Sequence, residues 1–63
     1  MLNRAVISRV MKKKQMTKYG LSKLTGINES LVGRYLKGLT DPSTDNVKSI
    51  ATVLDIDLKE LII

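Results

Sequence analysis

The chain has 63 residues, with no cysteine and no histidine, so it is long enough for one small domain with a marginal core. Disulfides and Cys/His metal sites are excluded, and the commonest acid–base and nucleophilic side chains are missing. No apolar run approaches the roughly 20 residues of a membrane-spanning helix. The N-terminus also lacks the apolar stretch of a signal peptide. We therefore expect a cytoplasmic protein without metal, cofactor or enzyme activity.

Positive charge is concentrated in the first part of the chain. The net charge is +5. Residues 1–26 carry seven Lys and Arg and no acid, whereas residues 27–63 carry four bases and six acids. A basic half of this kind indicates a polyanionic partner, either nucleic acid or an anionic membrane surface. A solvated charged face with no partner is the simpler alternative.

Apolar residues recur at helical spacing, and no segment alternates as a strand would, so the sequence predicts an all-α domain. The first helix is predicted from about Leu2 to Lys14. Its apolar stripe consists of Val6, Ile7, Val10 and Met11. Because this stripe is needed for the core and contains no Trp or Phe, membrane binding is the weaker interpretation. The second helix begins after Thr17, a good N-cap, and ends at Gly26.

Three further helices are predicted from their caps. The third covers Glu29–Lys37, between the cap Asn28 and the terminating Gly38. Ser43 is the predicted cap of a fourth helix, and Asp57 opens a short fifth helix that runs to residue 63.

The second and third helices are short and are joined by a tight turn, which is typical of a helix-turn-helix at about residues 17–37. In that motif the second helix lies in the DNA major groove. The third helix has an apolar face formed by Ile27, Val32, Tyr35 and Leu36. Its opposite face carries Glu29, Ser30, Gly33, Arg34 and Lys37. Glycine at position 33 lowers the stability of a helix by about 1 kcal/mol relative to alanine. Its presence is explained if a DNA duplex must approach the helix backbone closely. The alternative is that the domain tolerates one unfavourable residue by chance.

Several segments occur in an order and spacing that resemble a known family. They are MTKYGLSKLTGI at 16–27, SLVGRYLKG at 30–38, DPS at 41–43 and the apolar pattern of residues 50–61. Together they resemble the phage repressor and Cro family, the xenobiotic-response-element type of helix-turn-helix. The resemblance extends from about residue 6 to residue 61 and implies a compact five-helix, lambda-repressor-like fold, so we expect residues 1–63 to form a single helix-turn-helix DNA-binding domain. It also implies operator binding, usually by a homodimer on a palindromic site, and makes Ser22 the small residue that lets the third helix pack closely.

The resemblance also assigns site residues. Its base-reading positions correspond to Glu29, Ser30, Gly33 and Arg34. Arg34 can donate two hydrogen bonds to guanine, and Glu29 can accept one from cytosine. The predicted phosphate contacts are Lys18, Lys37, Thr40, Thr44 and Asn46. Lys18 stands where the family commonly has Gln, and a lysine can hold a phosphate but cannot reproduce the amide pairing.

These features predict a sequence-specific, double-stranded DNA-binding transcriptional regulator, Cro-like or repressor-type, associated with the nucleoid of a prokaryotic or phage-infected cell. The alternative is a protein-interaction module of the same fold, such as an antitoxin or antirepressor. Such a module should carry aromatic or Met anchors on the polar face of the third helix, where only Leu31, between the two faces, is apolar. No small-molecule ligand is expected.

The C-terminal residues predict a weak homodimer. Large aliphatic residues are concentrated here, at Leu58, Leu61, Ile62 and Ile63. The family pattern places Leu58 and Leu61 inside, which leaves Ile62 and Ile63 as a small exposed patch for a second copy. The alternative is that both isoleucines complete the core beneath the first helix.

Overall fold

Five α-helices make up the computed structural model, which describes residues 2–62. They are α1 (Arg4–Lys13), α2 (Lys18–Thr25), α3 (Glu29–Lys37), α4 (Thr44–Leu54) and α5 (Leu58–Leu61). The predicted all-α, five-helix architecture is confirmed. Across the described residues, every helix is too short or too polar to cross a membrane.

Each helix begins at a residue whose side chain accepts a hydrogen bond from a backbone N–H of the first turn. These caps are Asn3, Thr17, Asn28, Ser43 and Asp57. The predicted caps of α2 to α5 are thereby confirmed, and each satisfies a donor that the helix itself leaves unpaired.

Both ends of the chain differ from the sequence-based prediction. α1 begins at Arg4 rather than Leu2 because Asn3 caps it, and α5 ends at Leu61 rather than at residue 63. Leu2 instead forms an isolated antiparallel bridge with Ile62. The Asn3 N–H donates to the Leu61 carbonyl at 2.6 Å, so the start of the chain is held against its end.

The core takes at least one fully buried side chain from every helix. The largest are Ile7, Leu21, Val32, Ile50, Leu54 and Leu61. Because no helix as short as these is stable alone in water, this shared apolar burial holds the domain together. It also sets the position of α3 relative to α2 and α1, against both of which α3 packs.

The C-terminal aliphatic residues divide between core and surface. Leu61 is completely buried, as predicted, whereas Leu58 is 36% exposed. The prediction that Leu58 is internal is therefore wrong, because the four-residue helix turns only one side toward the core. Ile62 is 51% exposed, which agrees with the predicted surface patch and contradicts the alternative for this residue. Ile63 lies outside the described residues.

Candidate nucleic-acid interface

The link between α2 and α3 consists of residues 26–28 and has a defined backbone conformation. Gly26 adopts φ +76°, in the left-handed region, and its N–H donates to the Ser22 carbonyl at the end of α2. Asn28 then caps α3 by accepting from the Ser30 N–H at 2.8 Å. Because glycine enters the left-handed region without strain, α2 can stop and α3 can start within three residues.

Two hydroxyl side chains tie this turn together. The Ser22 hydroxyl donates to the Ile27 carbonyl. The Thr25 hydroxyl donates to the Leu21 carbonyl at 2.7 Å and accepts from the Ile27 N–H at 3.2 Å. Sequence reasoning treated Ser22 only as a small residue and did not assign Thr25 a role. The hydroxyls satisfy backbone groups of Ile27 that belong to neither helix.

α3 has the two faces that its sequence predicts. Val32 is fully buried and Tyr35 is 4% exposed. The residues predicted to face DNA lie on the opposite side and are exposed, apart from the half-buried Gly33: they are Glu29, Ser30, Gly33, Arg34 and Lys37. Leu31, which could have been exposed, is half-buried and packs against the core. The exposed face therefore contains no apolar anchor.

Lys18 lies across α3 at Gly33. A Cβ atom built on Gly33 would be 3.2 Å from the Lys18 Cδ and 3.6 Å from its Nζ. The lysine side chain, which starts at the first residue of α2, therefore occupies the space beside Gly33 on the exposed face of α3. The space left by the glycine is filled from within the protein.

The other predicted phosphate-binding residues lie at the end of α3 and the start of α4. Lys37 and Thr44 are exposed, and Thr40 is half-buried in the connecting loop. Asn46 is also half-buried, and its side-chain Nδ2 donates to the Tyr35 hydroxyl at 2.9 Å. This bond joins α4 to α3 and leaves Asn46 with one free amide hydrogen.

Arg4 belongs to the same region, although sequence reasoning did not select it. A Cβ atom on Gly38 would be 2.7 Å from the Arg4 Cζ, so the guanidinium lies against the residue that ends α3. Arg4 lines a cavity of about 150 Å³ together with Tyr35, Gly38 and Thr40. The sequence contained one indication of this role, because a cation in the first turn of α1 is unfavourable for the dipole of that helix. In the structure the same cation lies beside the C-terminus of α3, where it is favourable.

The comparison with protein families agrees with this geometry. Residues 6–63 match the model of the Cro/C1-type HTH DNA-binding domain, which confirms the resemblance seen in the sequence. No curated protein and no solved structure matches the chain. A match over nearly the whole chain, with a capped α2–turn–α3 unit and an exposed polar face on α3, shows that the chain belongs to the Cro/C1-type helix-turn-helix DNA-binding family.

Proposed function

We propose that the protein is a sequence-specific transcriptional regulator of the Cro or repressor type, which binds palindromic operator DNA in the cytoplasm. The observation that carries the proposal is the exposed face of α3, which presents only polar groups and a glycine while its other face is fixed in the core. A short helix held in this way can enter the major groove without changing its packing.

The base-reading residues follow from their chemistry and position on α3. Arg34 provides two donors for the O6 and N7 atoms of guanine, Glu29 accepts from a cytosine amino group, and Ser30 can serve several bases. Gly33 keeps the centre of the face free of a side chain of its own. Arg34 is the residue on this face best suited to a bidentate contact, so it should contribute most to sequence preference.

The proposed phosphate-binding residues lie at the C-terminal end of α3 and in the segment that follows it. Lys37 extends from the last turn of α3, and Thr40, Thr44 and Asn46 follow in the loop and the first turn of α4. Arg4 adds a cation beside Thr40. These contacts would set the register of α3 on the duplex and supply much of the affinity, as phosphate contacts generally do.

Assembly as a weak homodimer completes the proposal. The exposed Leu58 and Ile62 border a groove of about 150 Å³, which Leu2, Pro42 and Val47 also line. The groove lies beside the loop that carries the predicted phosphate contacts, so a second copy seated there would also be near the DNA. Stable interfaces bury roughly 1,200–2,000 Å², and a patch this small should support dimerisation only when two copies meet on a palindrome.

The function is tested by selecting duplexes from a random pool and measuring affinity for the selected and scrambled duplexes over a range of salt concentrations. We expect a palindromic site with half-sites about one helical turn apart. The slope of log K against log salt should be steep, at about −0.9 per neutralised phosphate. Equal affinity for selected and scrambled duplexes would contradict sequence-specific binding, and would favour the protein-interaction module.

The dimer is tested by Ile62→Gln, with Leu24→Gln as the matched control, because Leu24 is 64% exposed but lies on α2, away from the groove. We expect Ile62→Gln to reduce cooperative binding to the palindrome while single half-site affinity stays unchanged. Leu24→Gln should alter neither. Unchanged cooperativity in Ile62→Gln would place the dimer contact elsewhere. Melting temperatures of both variants show whether each still folds.

A further inference from the structure

Gly33 and Lys18 are each unfavourable in their own helix, and their presence is explained only by the contact between them. Glycine in the interior of a helix weakens it relative to alanine, and Gly33 is in the middle of α3 with no left-handed φ that would require a glycine. The space that a Cβ would occupy is taken by Lys18, whose Cδ, Nζ and Cε lie 3.2, 3.6 and 4.0 Å from that position. Because Gly33 has no side chain, the Lys18 side chain can pack directly against the backbone of α3 at this position.

The consequence is a positive charge at the centre of the α3 face. Glu29 and Lys37 lie one turn before and one turn after Gly33 on the same row of the helix. The Lys18 ammonium therefore stands where a side chain at position 33 would start, although its backbone belongs to α2. Local electrostatics do not account for this lysine, because a cation is unfavourable in the first turn of its own helix, and α2 has no acid there.

We infer that Lys18 is a specificity-determining residue, which donates to the O6 and N7 atoms of a guanine through the gap that Gly33 leaves. The inference rests on the proposed function, because it requires α3 to lie in the major groove. Phosphates border the groove and bases form its floor. An ammonium held over the middle of the inserted helix is therefore closer to the base edges than Lys37, the last residue of α3, or Thr40 in the loop that follows it.

The test uses Lys18→Ala, Gly33→Ala and the double variant, each measured on the selected duplex, on that duplex with single base-pair changes, and on scrambled DNA. Lys18→Ala should lower affinity for the selected duplex about 5- to 160-fold and remove the preference at one guanine. Its affinity for scrambled DNA and its salt slope should change little. A uniform loss on all duplexes, with the slope reduced by about 0.9, would instead make Lys18 a phosphate contact and overturn the inference.

Gly33→Ala tests the gap itself. The new methyl group would force the lysine stem to move by a few tenths of an ångström, so preference at the same guanine should weaken while the melting temperature rises. In the Lys18→Ala background the same change should have no further effect on binding. An equal loss in both backgrounds would mean that the methyl group obstructs the duplex directly, and would overturn the role of the pair.

Gly20→Ala is the matched control, because a Cβ on Gly20 would meet only Thr17 Oγ1 at 3.5 Å and Met16 Cγ at 3.6 Å, which are ordinary contacts. It should raise the melting temperature without changing base preference. The wild-type measurement separates the two proposals: no discrimination by the wild-type protein refutes the proposed function itself. If Lys18→Ala keeps every base-pair preference of the wild-type protein, only this inference is refuted.

Discussion

Replacing Ser22 by alanine removes the hydrogen bond that joins α2 to the turn before α3. The Ser22 hydroxyl donates to the carbonyl of Ile27, which is 6% exposed and lies in the link outside both helices. The carbonyl is therefore left without this donor, in a place that water reaches poorly. An unsatisfied group of this kind costs about 1–3 kcal/mol.

The expected loss of stability is slightly smaller, since alanine is a better helix former than serine by about 0.5 kcal/mol. We expect the free energy of unfolding to fall by about 0.5–2.5 kcal/mol. A domain of 63 residues has only about 3–9 kcal/mol in total. For domains of this size each kcal/mol corresponds to about 4–8 °C in melting temperature. Thermal unfolding followed by circular dichroism would measure the change directly.

Ser49→Ala provides the matched control. The Ser49 hydroxyl donates to the Asp45 carbonyl at 3.1 Å within α4, and helix geometry already pairs that carbonyl with a backbone N–H. Its removal should leave the melting temperature unchanged or slightly higher. If Ser22→Ala proves as stable as Ser49→Ala, the idea that this bond ties α2 to the turn is wrong.

Two further predictions concern two DNA-facing residues of α3 and the glycines that end α2 and α3. Arg34→Ala should relax preference at one base pair and cost about 1–3 kcal/mol of binding free energy on the selected site, whereas Lys37→Ala should weaken binding to all duplexes evenly and reduce the salt slope by about one. Competition binding with base-pair variants of the selected duplex distinguishes the two effects. An even loss of affinity on all duplexes for Arg34→Ala would make Arg34 a phosphate contact. Gly26→Ala and Gly38→Ala should each cost about 1–2 kcal/mol, because both glycines have φ near +75° and alanine is strained there. Only Gly38→Ala should also lower DNA affinity, because a Cβ there would displace the Arg4 guanidinium, and equal losses of affinity in both variants would exclude a role for Arg4.

Much of the fold follows from short-range chemistry that can be recognised in the sequence. Thr17, Asn28 and Ser43 cap their helices as predicted, and Gly26 and Gly38 end α2 and α3 in the left-handed conformation. Each of these features depends on residues within three or four positions of one another. The period of the apolar residues likewise determined which face of α3 is buried and which side chains are left for DNA.

Other features depend on residues that are far apart in the sequence, and only the tertiary structure decided them. The family pattern indicated that Leu58 is internal, but the way α5 docks leaves it exposed. The placement of Lys18 over Gly33, of Arg4 against Gly38, and of Asn46 beside the Tyr35 hydroxyl required α1, α2 and α4 to be packed around α3. Long polar side chains have many rotamers of similar energy on an isolated helix. The neighbouring helix selects among them, so the direction of a charged group is known only when that helix is in place.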